Sequence, residues 1–344
     1  MSLIKNDKVA LITGTSSNLG INIAFRILEQ LPSEENITLI VTSRTLAKAR
    51  EVINDIKAFN KKTNRTGQLE FDYILVDFAD MISVLSACYD LTKRYTKIDY
   101  FVINAAQGVY QGLDWIGAIK QIMANPLEGV THPTYKIQRV GVKSNDGMGL
   151  VFQANVFGPY YLIHRIKPLL KNGGKIVWIS SVMSKPSCLS FDDLQLLKSH
   201  ESYEGSKRLV DLMHIGTYQK LKSNEGIVQY VVQPGIFTSF SFFKFLNVFT
   251  YYGMMLLFYF ARMIGSQLHN ISGYNAANAP VSCIVSDQIQ DKKVGSASSR
   301  WGQEYLTYDN IDPTGAEDVV AYLESLCKQW DETLKDQITN TRQP

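Results

Sequence analysis

Short apolar runs alternate along the chain with longer stretches in which apolar residues recur every three or four positions. Six of the runs have the length of a buried strand, at residues 9–13, 38–42, 73–76, 100–103, 175–179 and 229–232. Helical spacing occurs at residues 20–30, 46–60 and 81–95. Continuous apolar strands separated by amphipathic helices are typical of a parallel sheet covered on both faces. The pattern predicts an α/β fold, a doubly wound parallel sheet with helices on both faces.

Two segments interrupt this alternation. Residues 108–150 are rich in Gly, Asn and Pro, and residues 240–280 are rich in aromatic side chains. A chain of 344 residues is long for one domain, but α/β enzymes reach this length by insertion. We therefore predict a single domain over residues 1–344, with an insertion at 108–150 and an apolar, aromatic-rich segment at 242–264.

Composition narrows the classes of function. Apolar residues make up 45% of the chain, enough for a large core, and the net charge of +3 is too small to indicate a nucleic-acid partner. The four cysteines are scattered without a C-x-x-C pair or a histidine cluster, which predicts a reducing compartment and no bound metal. The N-terminal apolar run lacks the features of a signal peptide and is interpreted as the first strand.

The first strand ends in TGTSSNLG, residues 13–20. Its two glycines bracket a tight turn into a helix that is predicted to begin near Leu19. In a doubly wound sheet this turn holds the pyrophosphate of a dinucleotide against backbone N–H groups, and glycine is needed where a Cβ would block the phosphate. The pattern predicts a Rossmann-type dinucleotide site whose contacts are Gly14, Ser16, Asn18, Leu19 and Gly20.

The ends of the next strands indicate which dinucleotide binds. A carboxylate after the second strand would bind the ribose 2′-hydroxyl of NAD, whereas a basic residue accommodates the 2′-phosphate of NADP. The sequence there is LIVTSRT, which supplies Ser43 and Arg44 and no acid. NADP(H) is therefore the predicted cofactor. Asp77 is expected to lie over the adenine edge. Asn104 and Ala105 belong to a run of small residues after the fourth strand that should let the cofactor approach the backbone closely.

A tyrosine and a lysine occur four positions apart in SYEGSKRLVDL, residues 202–212. On a helix, Tyr203 and Lys207 would lie one turn apart on the same face. A lysine charge beside a phenol lowers the pKa of the phenol, so that the phenol can donate a proton near neutral pH. The pair predicts general-acid chemistry at Tyr203.

Five motifs occur in a fixed order along the chain: T-G-x-x-x-x-x-G, N-A-A, a serine pair after a strand, Y-x-x-x-K and a P-G segment. Over about residues 7–240, this order resembles the short-chain dehydrogenase/reductase family. The resemblance implies a catalytic set, which here is Asn155, Ser181, Tyr203 and Lys207. Ser180 is the adjacent alternative to Ser181. The P-G segment of the family holds the nicotinamide carboxamide, and its counterparts here are Pro234, Gly235, Ile236 and Thr238.

The resemblance also implies a division of roles. Ser181 is expected to hydrogen-bond the carbonyl oxygen of the substrate while Tyr203 donates a proton to that oxygen. Lys207 is expected to lower the pKa of Tyr203 and to bind the nicotinamide ribose, and Asn155 is expected to hold a water molecule. The 22-residue interval from Ser181 to Tyr203 is longer than is usual in the family. We expect the additional residues to form a lid or a wall of the substrate pocket.

A narrower resemblance extends over nearly the whole chain. The stretches VTSRTL, NAAQG, DWIGA, HPTYKIQ and QPGIFTSFSF are similar to the fungal 3-keto-steroid reductases of ergosterol synthesis. This similarity implies NADPH-dependent reduction of zymosterone-type 3-ketosterols to 3β-hydroxysterols after sterol C4 demethylation. It also implies the cytosolic face of the endoplasmic reticulum membrane and lipid droplets as the location. The implied partners are the other C4-demethylation enzymes, their scaffold protein and oxidosqualene cyclase.

The aromatic segment at 242–264, FFKFLNVFTYYGMMLLFYFARMI, allows three interpretations. It is compatible with a buried core helix, with a transmembrane span weakened by Asn247 and Gly253, or with a helix that rests in the membrane interface. We favour the interfacial helix, because tyrosine rings are stable at the interface and an apolar substrate could enter from the lipid.

Two other functions stay open on the sequence alone. The chain could reduce another apolar carbonyl, such as a 17-ketosteroid or retinal. It could also be a scaffold or a cofactor-sensing protein of the sterol enzyme complex, since a fold does not fix a function. The presence of all four catalytic residue types favours an active enzyme.

Overall fold

A central sheet of eight strands organises the computed structural model, which describes residues 8–238 and 246–337. In chain order, the strands are β1 (Lys8–Ile12), β2 (Ile37–Ser43), β3 (Leu69–Leu75), β4 (Tyr100–Ile103), β5 (Tyr110–Leu113), β6 (Lys136–Gln138), β7 (Lys175–Ile179), β8 (Val228–Gln233), β9 (Ile236–Phe237), β10 (His269–Ile271), β11 (Lys292–Ser298) and β12 (Glu304–Asn310). β5 pairs with β6, and β9 pairs with β10, in two small sheets of their own. The central sheet has the order β3-β2-β1-β4-β7-β8-β11-β12.

Helices flank the sheet and occupy the two interrupting segments. They are α1 (Asn18–Gln30), α2 (Leu46–Asn60), α3 (Met81–Arg94), α4 (Trp115–Ala124), α5 (Pro126–Thr131), α6 (Leu150–Phe152), α7 (Gly158–Leu170), α8 (Ser202–Glu225), α9 (Val248–Met263), α10 (Gly273–Ala276), α11 (Asn278–Val285) and α12 (Ala316–Leu334). A π-helical turn at Gln153–Phe157 joins α6 to α7. The three predicted helices agree with α1, α2 and α3 to within two residues at each end.

The predicted doubly wound parallel sheet is confirmed, with one antiparallel strand at its edge. All neighbouring pairs from β3 to β11 are parallel, whereas β12 runs antiparallel to β11. The apolar runs of the sequence predict neither β11 nor β12. β11 consists largely of lysines and small residues, and β12 is a polar, mostly exposed edge strand. Neither strand therefore has the apolar run of an interior strand.

Each interior strand is buried on both faces. Leu11, Phe101 and Trp178 lie on one face, in a core shared with α3, α7, α8 and α12. Ile12 and Val102 lie on the opposite face, in a core shared with α1, α2 and α11. Because helices cover both faces, successive residues of a strand are apolar, which explains the continuous runs in the sequence.

The two interrupting segments pack against each other. The insertion contains β5, α4, α5 and β6, and the aromatic-rich stretch contains α9, β10 and α10. Val130 of α5, Phe258 and Ala261 of α9, and Ile271 of β10 form a small core that is separate from the two main cores. The segments therefore support each other rather than extending the central sheet.

The predicted aromatic segment is only partly described. Its first residues, 242–245, lie outside the described residues, and α9 accounts for most of the remainder. Over residues 8–238 and 246–337, no helix combines the length and the apolar character that a membrane crossing requires.

All four cysteines are buried free thiols: Cys88, Cys188, Cys283 and Cys327. Burial raises the pKa of Cys88 to about 12 and that of Cys188 to about 11, so both stay protonated near neutral pH. Within the part of the chain that the structure describes, no three His, Cys, Asp or Glu side chains are grouped so that they could hold a metal ion.

Candidate active site

The carboxyl ends of β1 and β4 meet in the middle of the central sheet. The chain continues from β1 to β2 on one side, and from β4 to β7 on the other. A doubly wound sheet opens a crevice where the strand order reverses in this way, and ligands bind there. The glycine turn after β1, which contains the half-buried Ser16, lies at this crevice beside Asn104 and Ala105 after β4.

The glycine turn has the shape of a phosphate cradle. Gly14 has a φ of 62°, and a Cβ there would lie 2.9 Å from the Ala105 Cα. A Cβ on Gly20 would lie 2.3 Å from the Gly14 carbonyl oxygen. The backbone N–H groups of Asn18 and Leu19 donate to no residue that the structure describes. Unused N–H groups at a helix N-terminus are suited to phosphate oxygens, so this turn fits the predicted dinucleotide.

Asn104 fixes the glycine turn from the neighbouring strand. Its Nδ2 donates to the Thr13 carbonyl at 2.9 Å, to the Gly14 carbonyl at 3.0 Å and to the Ser17 hydroxyl at 3.0 Å. The Thr13 hydroxyl accepts from the N–H groups of Asn104 and Ala105, at 2.8 and 2.9 Å. The approach of the cofactor to the backbone at Asn104 stays a prediction, and the side-chain N–H groups of Asn104 bind other parts of the protein. Its buried amide therefore holds the shape of the turn.

The end of β2 presents an unpaired positive side chain. Arg44 is exposed and makes no hydrogen bond or ion pair with any described residue. The hydroxyl of the half-buried Ser43 accepts from the Thr45 N–H at 3.3 Å. Asp77 lies just after β3, half-buried, and accepts from the Ala79 N–H at 3.0 Å. Within the described residues the Arg44 guanidinium thus has no partner, which is compatible with the predicted role of binding a 2′-phosphate.

The P-G segment after β8 forms backbone hydrogen bonds with β10 and the residue before it. Gly235 has a φ of 69°, and a Cβ there would lie 2.5 Å from the Leu268 carbonyl oxygen. The Ile236 N–H donates to that carbonyl at 2.6 Å, and the Thr238 N–H donates to the Ile271 carbonyl at 3.0 Å. The resemblance implies that Ile236 and Thr238 hold the nicotinamide carboxamide. In this structure neither N–H is available for it, because contacts with the β10 segment already use both.

The P-G segment also contacts the glycine turn across the crevice. Asn18 Nδ2 donates to the Thr238 carbonyl at 2.6 Å. The Pro234 carbonyl accepts from the buried Asn270 at 2.8 Å, which anchors the other end of the segment. The two predicted cofactor-binding loops are therefore direct neighbours.

Two serines follow β7 and make different contacts. Ser180 is buried, and its hydroxyl donates to Asp211 Oδ1 at 2.6 Å. Ser181 is half-buried, and its hydroxyl accepts from the Met183 N–H at 3.0 Å. A hydroxyl that binds a substrate has to be accessible, so the geometry favours Ser181 over Ser180.

Tyr203 and Lys207 lie near the start of α8, as their spacing predicts. Lys207 Nζ is 5.6 Å from the centre of the Tyr203 ring, and it donates to the Ile179 carbonyl at 2.8 Å. Ile179 is the last residue of β7, two positions before Ser181. The structure thus brings Ser181, Tyr203 and Lys207 to the same end of the central sheet.

The predicted lowering of the Tyr203 pKa is not found. Burial raises the pKa of Tyr203 above its ordinary value, and the carboxylate of Glu204 raises it further. Lys207 does not offset this rise, because its ammonium is bonded to the Ile179 carbonyl rather than to the phenol. Burial lowers the pKa of Lys207 to about 8, against the opposing charge of Asp211. Tyr203 is therefore in the proton-donor form at neutral pH.

Asn155 is buried in the π-helical turn and links the loop after β4 to α8. Its Oδ1 accepts from the Gln107 N–H at 2.7 Å, and its Nδ2 donates to the Gln107 carbonyl at 2.9 Å and to the Ser206 hydroxyl at 3.0 Å. The Ser206 hydroxyl in turn donates to the Tyr203 carbonyl at 2.6 Å. The expected water-holding role of Asn155 stays a prediction, and the polar atoms of its side chain bind protein groups. Through these contacts Asn155 positions the segment that carries Tyr203.

The insertion brings polar residues to Tyr203 that the motifs do not predict. Gln138 of β6 is buried, and its Oε1 accepts from the Ser202 hydroxyl at 2.9 Å and from the Tyr203 N–H at 3.0 Å. Its Nε2 donates to the Glu204 carboxylate at 2.6 Å. The residue before α8 makes no side-chain cap. Gln138, which is distant in sequence, instead accepts from a backbone N–H group in the first turn of the helix. The Tyr110 ring of β5 lies 6.0 Å from that of Tyr203.

The additional residues between Ser181 and Tyr203 form one wall of a cavity of about 510 Å³. β6 contributes Lys136 and Gln138 to the same cavity. The lining contains Met183 and Leu189 but also several charged side chains, such as Asp192. The segment is thus the wall of a cavity beside α8, and the charged lining suits a polar ligand group better than a hydrocarbon body.

The sequence matches the short chain dehydrogenase family over residues 8–242. The chain belongs to this family. It is 71% identical over 340 residues to the 3-keto-steroid reductase of Debaryomyces hansenii, with 98% of each chain covered. It is 65% identical over 346 residues to the 3-keto-steroid reductase ERG27 of Candida albicans, with 100% of each chain covered. These similarities confirm both predicted resemblances and show that the chain is an oxidoreductase of the short-chain type.

A solved structure supports the fold. The L-sorbose reductase of Gluconobacter frateurii, complexed with NADPH and L-sorbose, has a TM-score of 0.55 at 15% sequence identity. The match covers 83% of this chain and 93% of that chain. At this identity the likeness establishes the Rossmann-type architecture, and cofactor and substrate have to be argued from this chain's own residues.

Proposed function

We propose that this protein reduces a 3-ketosterol of zymosterone type to the 3β-hydroxysterol with NADPH, after C4 demethylation in ergosterol biosynthesis. The observation that carries the proposal is the full-length similarity to proteins named 3-keto-steroid reductase. That similarity includes the insertion whose Gln138 contacts the start of α8 at Tyr203. The parts of the chain that shape the predicted site are therefore shared with those reductases.

Each residue of the site has a separate role in the proposed reduction. The glycine turn would hold NADPH, whose chemistry would be to supply a hydride for the carbonyl carbon. Negative charge develops on the carbonyl oxygen, where the Ser181 hydroxyl donates a hydrogen bond. Tyr203 donates its phenolic proton to the same oxygen, which completes the alcohol. The Lys207 ammonium, 5.6 Å from the Tyr203 ring centre, offsets only part of the cost of the phenolate that remains, because burial keeps the pKa of Tyr203 above its ordinary value.

The proposal is tested by assaying the purified protein with NADPH and a 3-ketosterol, and by chromatographic detection of the 3β-alcohol. A 17-ketosteroid and retinal serve as competing substrates. We expect kcat/KM to be at least about tenfold higher for the 3-ketosterol. Turnover of only one of the competing ketones would assign another substrate. NADPH binding without turnover of any ketone would favour the scaffold or cofactor-sensing function.

Arg44 should determine the choice between NADPH and NADH. Arg44→Ala removes the unpaired guanidinium at the end of β2, so NADPH affinity should fall about tenfold or more, as is typical for loss of a charge-assisted contact. NADH affinity should change little, because NADH has no 2′-phosphate. Fluorescence titration with both cofactors measures the effect. Arg50→Ala, which changes another exposed arginine nearby on α2, is the matched control. Equal wild-type affinity for the two cofactors would contradict the assignment.

We also propose that α9 rests on a membrane surface. Only Phe258 and Ala261 of α9 are buried, which argues against the core-helix interpretation. Phe249, Tyr252 and Leu256 are 87%, 67% and 73% exposed, an apolar face of a kind that soluble surfaces rarely carry. Such a face gains free energy in the bilayer interface in proportion to the apolar area that it buries there.

A second helix supports the same proposal. α4 exposes Ile116, Ile119 and Met123 and packs on α5, which in turn packs on α9. By resemblance, the membrane is that of the endoplasmic reticulum at its cytosolic face, together with lipid droplets. The other C4-demethylation enzymes, their scaffold protein and oxidosqualene cyclase are the proposed protein partners. Membrane contact would give the enzyme access to a sterol dissolved in lipid.

A further inference from the structure

A buried ion pair lies beside the loop that carries Ser181. The side chains of Asp211 on α8 and Lys293 on β11 are 1% and 11% exposed, and Asp211 Oδ2 lies 2.5 Å from Lys293 Nζ. Lys293 comes after residue 242, where the match to the short chain dehydrogenase family ends. Neither residue belongs to a motif of the sequence or takes part in the reaction steps described above.

The ion pair holds both ends of the serine loop, residues 180–184. Asp211 Oδ1 accepts from the Ser180 hydroxyl at 2.6 Å, and its Oδ2 accepts from the Ser184 hydroxyl at 2.6 Å. Lys293 Nζ donates to the Ser184 hydroxyl at 2.5 Å and to the Ser181 carbonyl at 3.4 Å. Ser181 therefore lies between two residues whose side chains are fixed by the same carboxylate.

The same carboxylate acts on Lys207, which lies one helical turn before it on α8. Burial lowers the pKa of Lys207, and the negative charge of Asp211 opposes that shift. Tyr203 on α8 also lies near Lys207, and Lys293 lies beyond Asp211. The cavity that Asp211 and Lys293 line also carries other charged or titratable side chains: His132, Lys185, Arg208, Asp309 and Asp312. His214, further along α8, donates to the Gln290 carbonyl, and burial lowers its pKa to about 4, so it is neutral at neutral pH. Asp211 is thus the anion that supports the charge of Lys207.

A buried ion pair contributes little net free energy to the stability of a fold. The cost of removing both charges from water offsets much of their attraction, and an apolar pair of the same volume is often as stable. α8 and β11 pack with many apolar residues elsewhere, such as Leu212 and Val294. The position of the pair, between the serine loop and Lys207, points to a role in the reaction rather than in stability alone.

We infer that Asp211 and Lys293 are positioning residues for the reduction. Asp211 fixes the serine loop so that the Ser181 hydroxyl faces the substrate, and it keeps the charge on Lys207. Lys293 neutralises Asp211 so that the carboxylate is tolerated in the interior. The inference depends on the proposed function in one respect: it assumes that Ser181 acts on the ketone and that Lys207 acts on the cofactor.

The test compares Asp211→Asn, Lys293→Met and the double variant with the wild type. Asp211→Asn should lower kcat about tenfold or more, because one of the two oxygens that accept from Ser180 and Ser184 becomes an N–H donor, while KM changes less than about twofold. Lys207 works as a cation, so activity is present below its pKa and is lost above it. Removal of the neighbouring anion lowers that pKa, and the alkaline limb of the kcat profile should move to lower pH. Steady-state kinetics across the pH range measure both effects.

The double variant separates positioning from stability. It leaves no unpaired charge in the interior, so its Tm should lie above that of Asp211→Asn. Its kcat should stay low and its alkaline limb should stay displaced. The matched control is Glu304→Gln, which breaks the partly buried Arg26–Glu304 pair and should change Tm without changing the pH profile.

Two results would overturn the inference: recovery of wild-type kcat in the double variant, or a wild-type kcat and pH profile in folded Asp211→Asn. If Asp211→Asn does not fold, the double variant decides by itself. Failure of the proposed function is distinguishable, because the wild type would then reduce a different ketone. The same comparison of variants would then be made with that ketone.

Discussion

Tyr203→Phe should lower kcat for ketone reduction by about two to four orders of magnitude, while NADPH affinity changes little. The substitution removes only the phenolic hydroxyl. The ring remains and keeps its position 6.0 Å from Tyr110. The hydrogen bond from Gln138 reaches the backbone N–H of residue 203, so it does not depend on the side chain. The loss should therefore report the missing proton donor and not a change of fold.

Steady-state kinetics and a cofactor titration on the same preparation measure this prediction. Tyr110→Phe is the matched control, because it removes the hydroxyl of the aromatic ring next to Tyr203. Its kcat should fall by less than about tenfold, since Tyr110 is assigned no proton transfer. Near-normal turnover by Tyr203→Phe would place the general acid at another residue, and an equal loss in both variants would indicate a disturbed pocket.

The parts of the fold that are predictable from the sequence are those in which the buried positions carry apolar side chains; β11 is buried but consists largely of lysines and small residues, and is not predicted. β4 and α2 agree with their predicted bounds, because an interior strand shows an unbroken apolar run and a packed helix shows a periodic one. β12 lacks such a run, because it is paired on one side only and most of its side chains meet water. β12 pairs with β11 through backbone hydrogen bonds, and the pattern of side chains in the sequence does not predict these bonds.

The candidate site is predictable where its members are close in sequence. The helical spacing of Tyr203 and Lys207 and the turn between Gly14 and Gly20 are local features, and the structure shows both. The direction of the Tyr203 pKa shift, in contrast, is not determined by neighbouring residues in the sequence. It depends on burial, which is a property of the folded chain, and on where the Lys207 ammonium finds its acceptor.

Contacts between distant segments account for what the motifs leave out. Gln138 caps α8 from the insertion, and Lys293 reaches the serine loop from β11. The contact of Ile236 with the Leu268 carbonyl likewise depends on β9 meeting the segment before β10. No spacing rule connects such positions in a single sequence, so these contacts become visible only in the folded chain.

Replacement of the exposed apolar face of α9 should release the protein from membranes. The four substitutions are Phe249→Ser, Tyr252→Ser, Leu256→Ser and Met263→Ser. These side chains are more than half exposed and recur at helical spacing, so they lie on one side of α9. At about 25 cal/mol per Å² of buried apolar area, their removal should weaken interfacial binding by several kcal/mol. Flotation with vesicles measures the shift from the bound to the free fraction.

The control variant changes exposed apolar residues outside α4 and α9. Its substitutions are Ile82→Ser, Tyr89→Ser, Ile289→Ser and Trp301→Ser. Ile82 and Tyr89 lie on α3, and Ile289 and Trp301 lie in loops next to β11, so the fraction of this variant bound to vesicles should equal that of the wild type. A similar release of both variants would show that general surface hydrophobicity, and not α9, determines membrane binding.

The α9 variant should keep its cofactor site. Its four side chains point to solvent, so their loss leaves no cavity in the small core around Phe258, and the protein should still fold and bind NADPH. Reduction of a water-soluble ketone should continue at the wild-type rate, whereas reduction of a 3-ketosterol dissolved in vesicles should fall with the bound fraction. Loss of NADPH binding together with aggregation would identify α9 as a core helix after all. A soluble variant that still floats with vesicles would move the membrane contact to another surface, with the exposed face of α4 as the first to test.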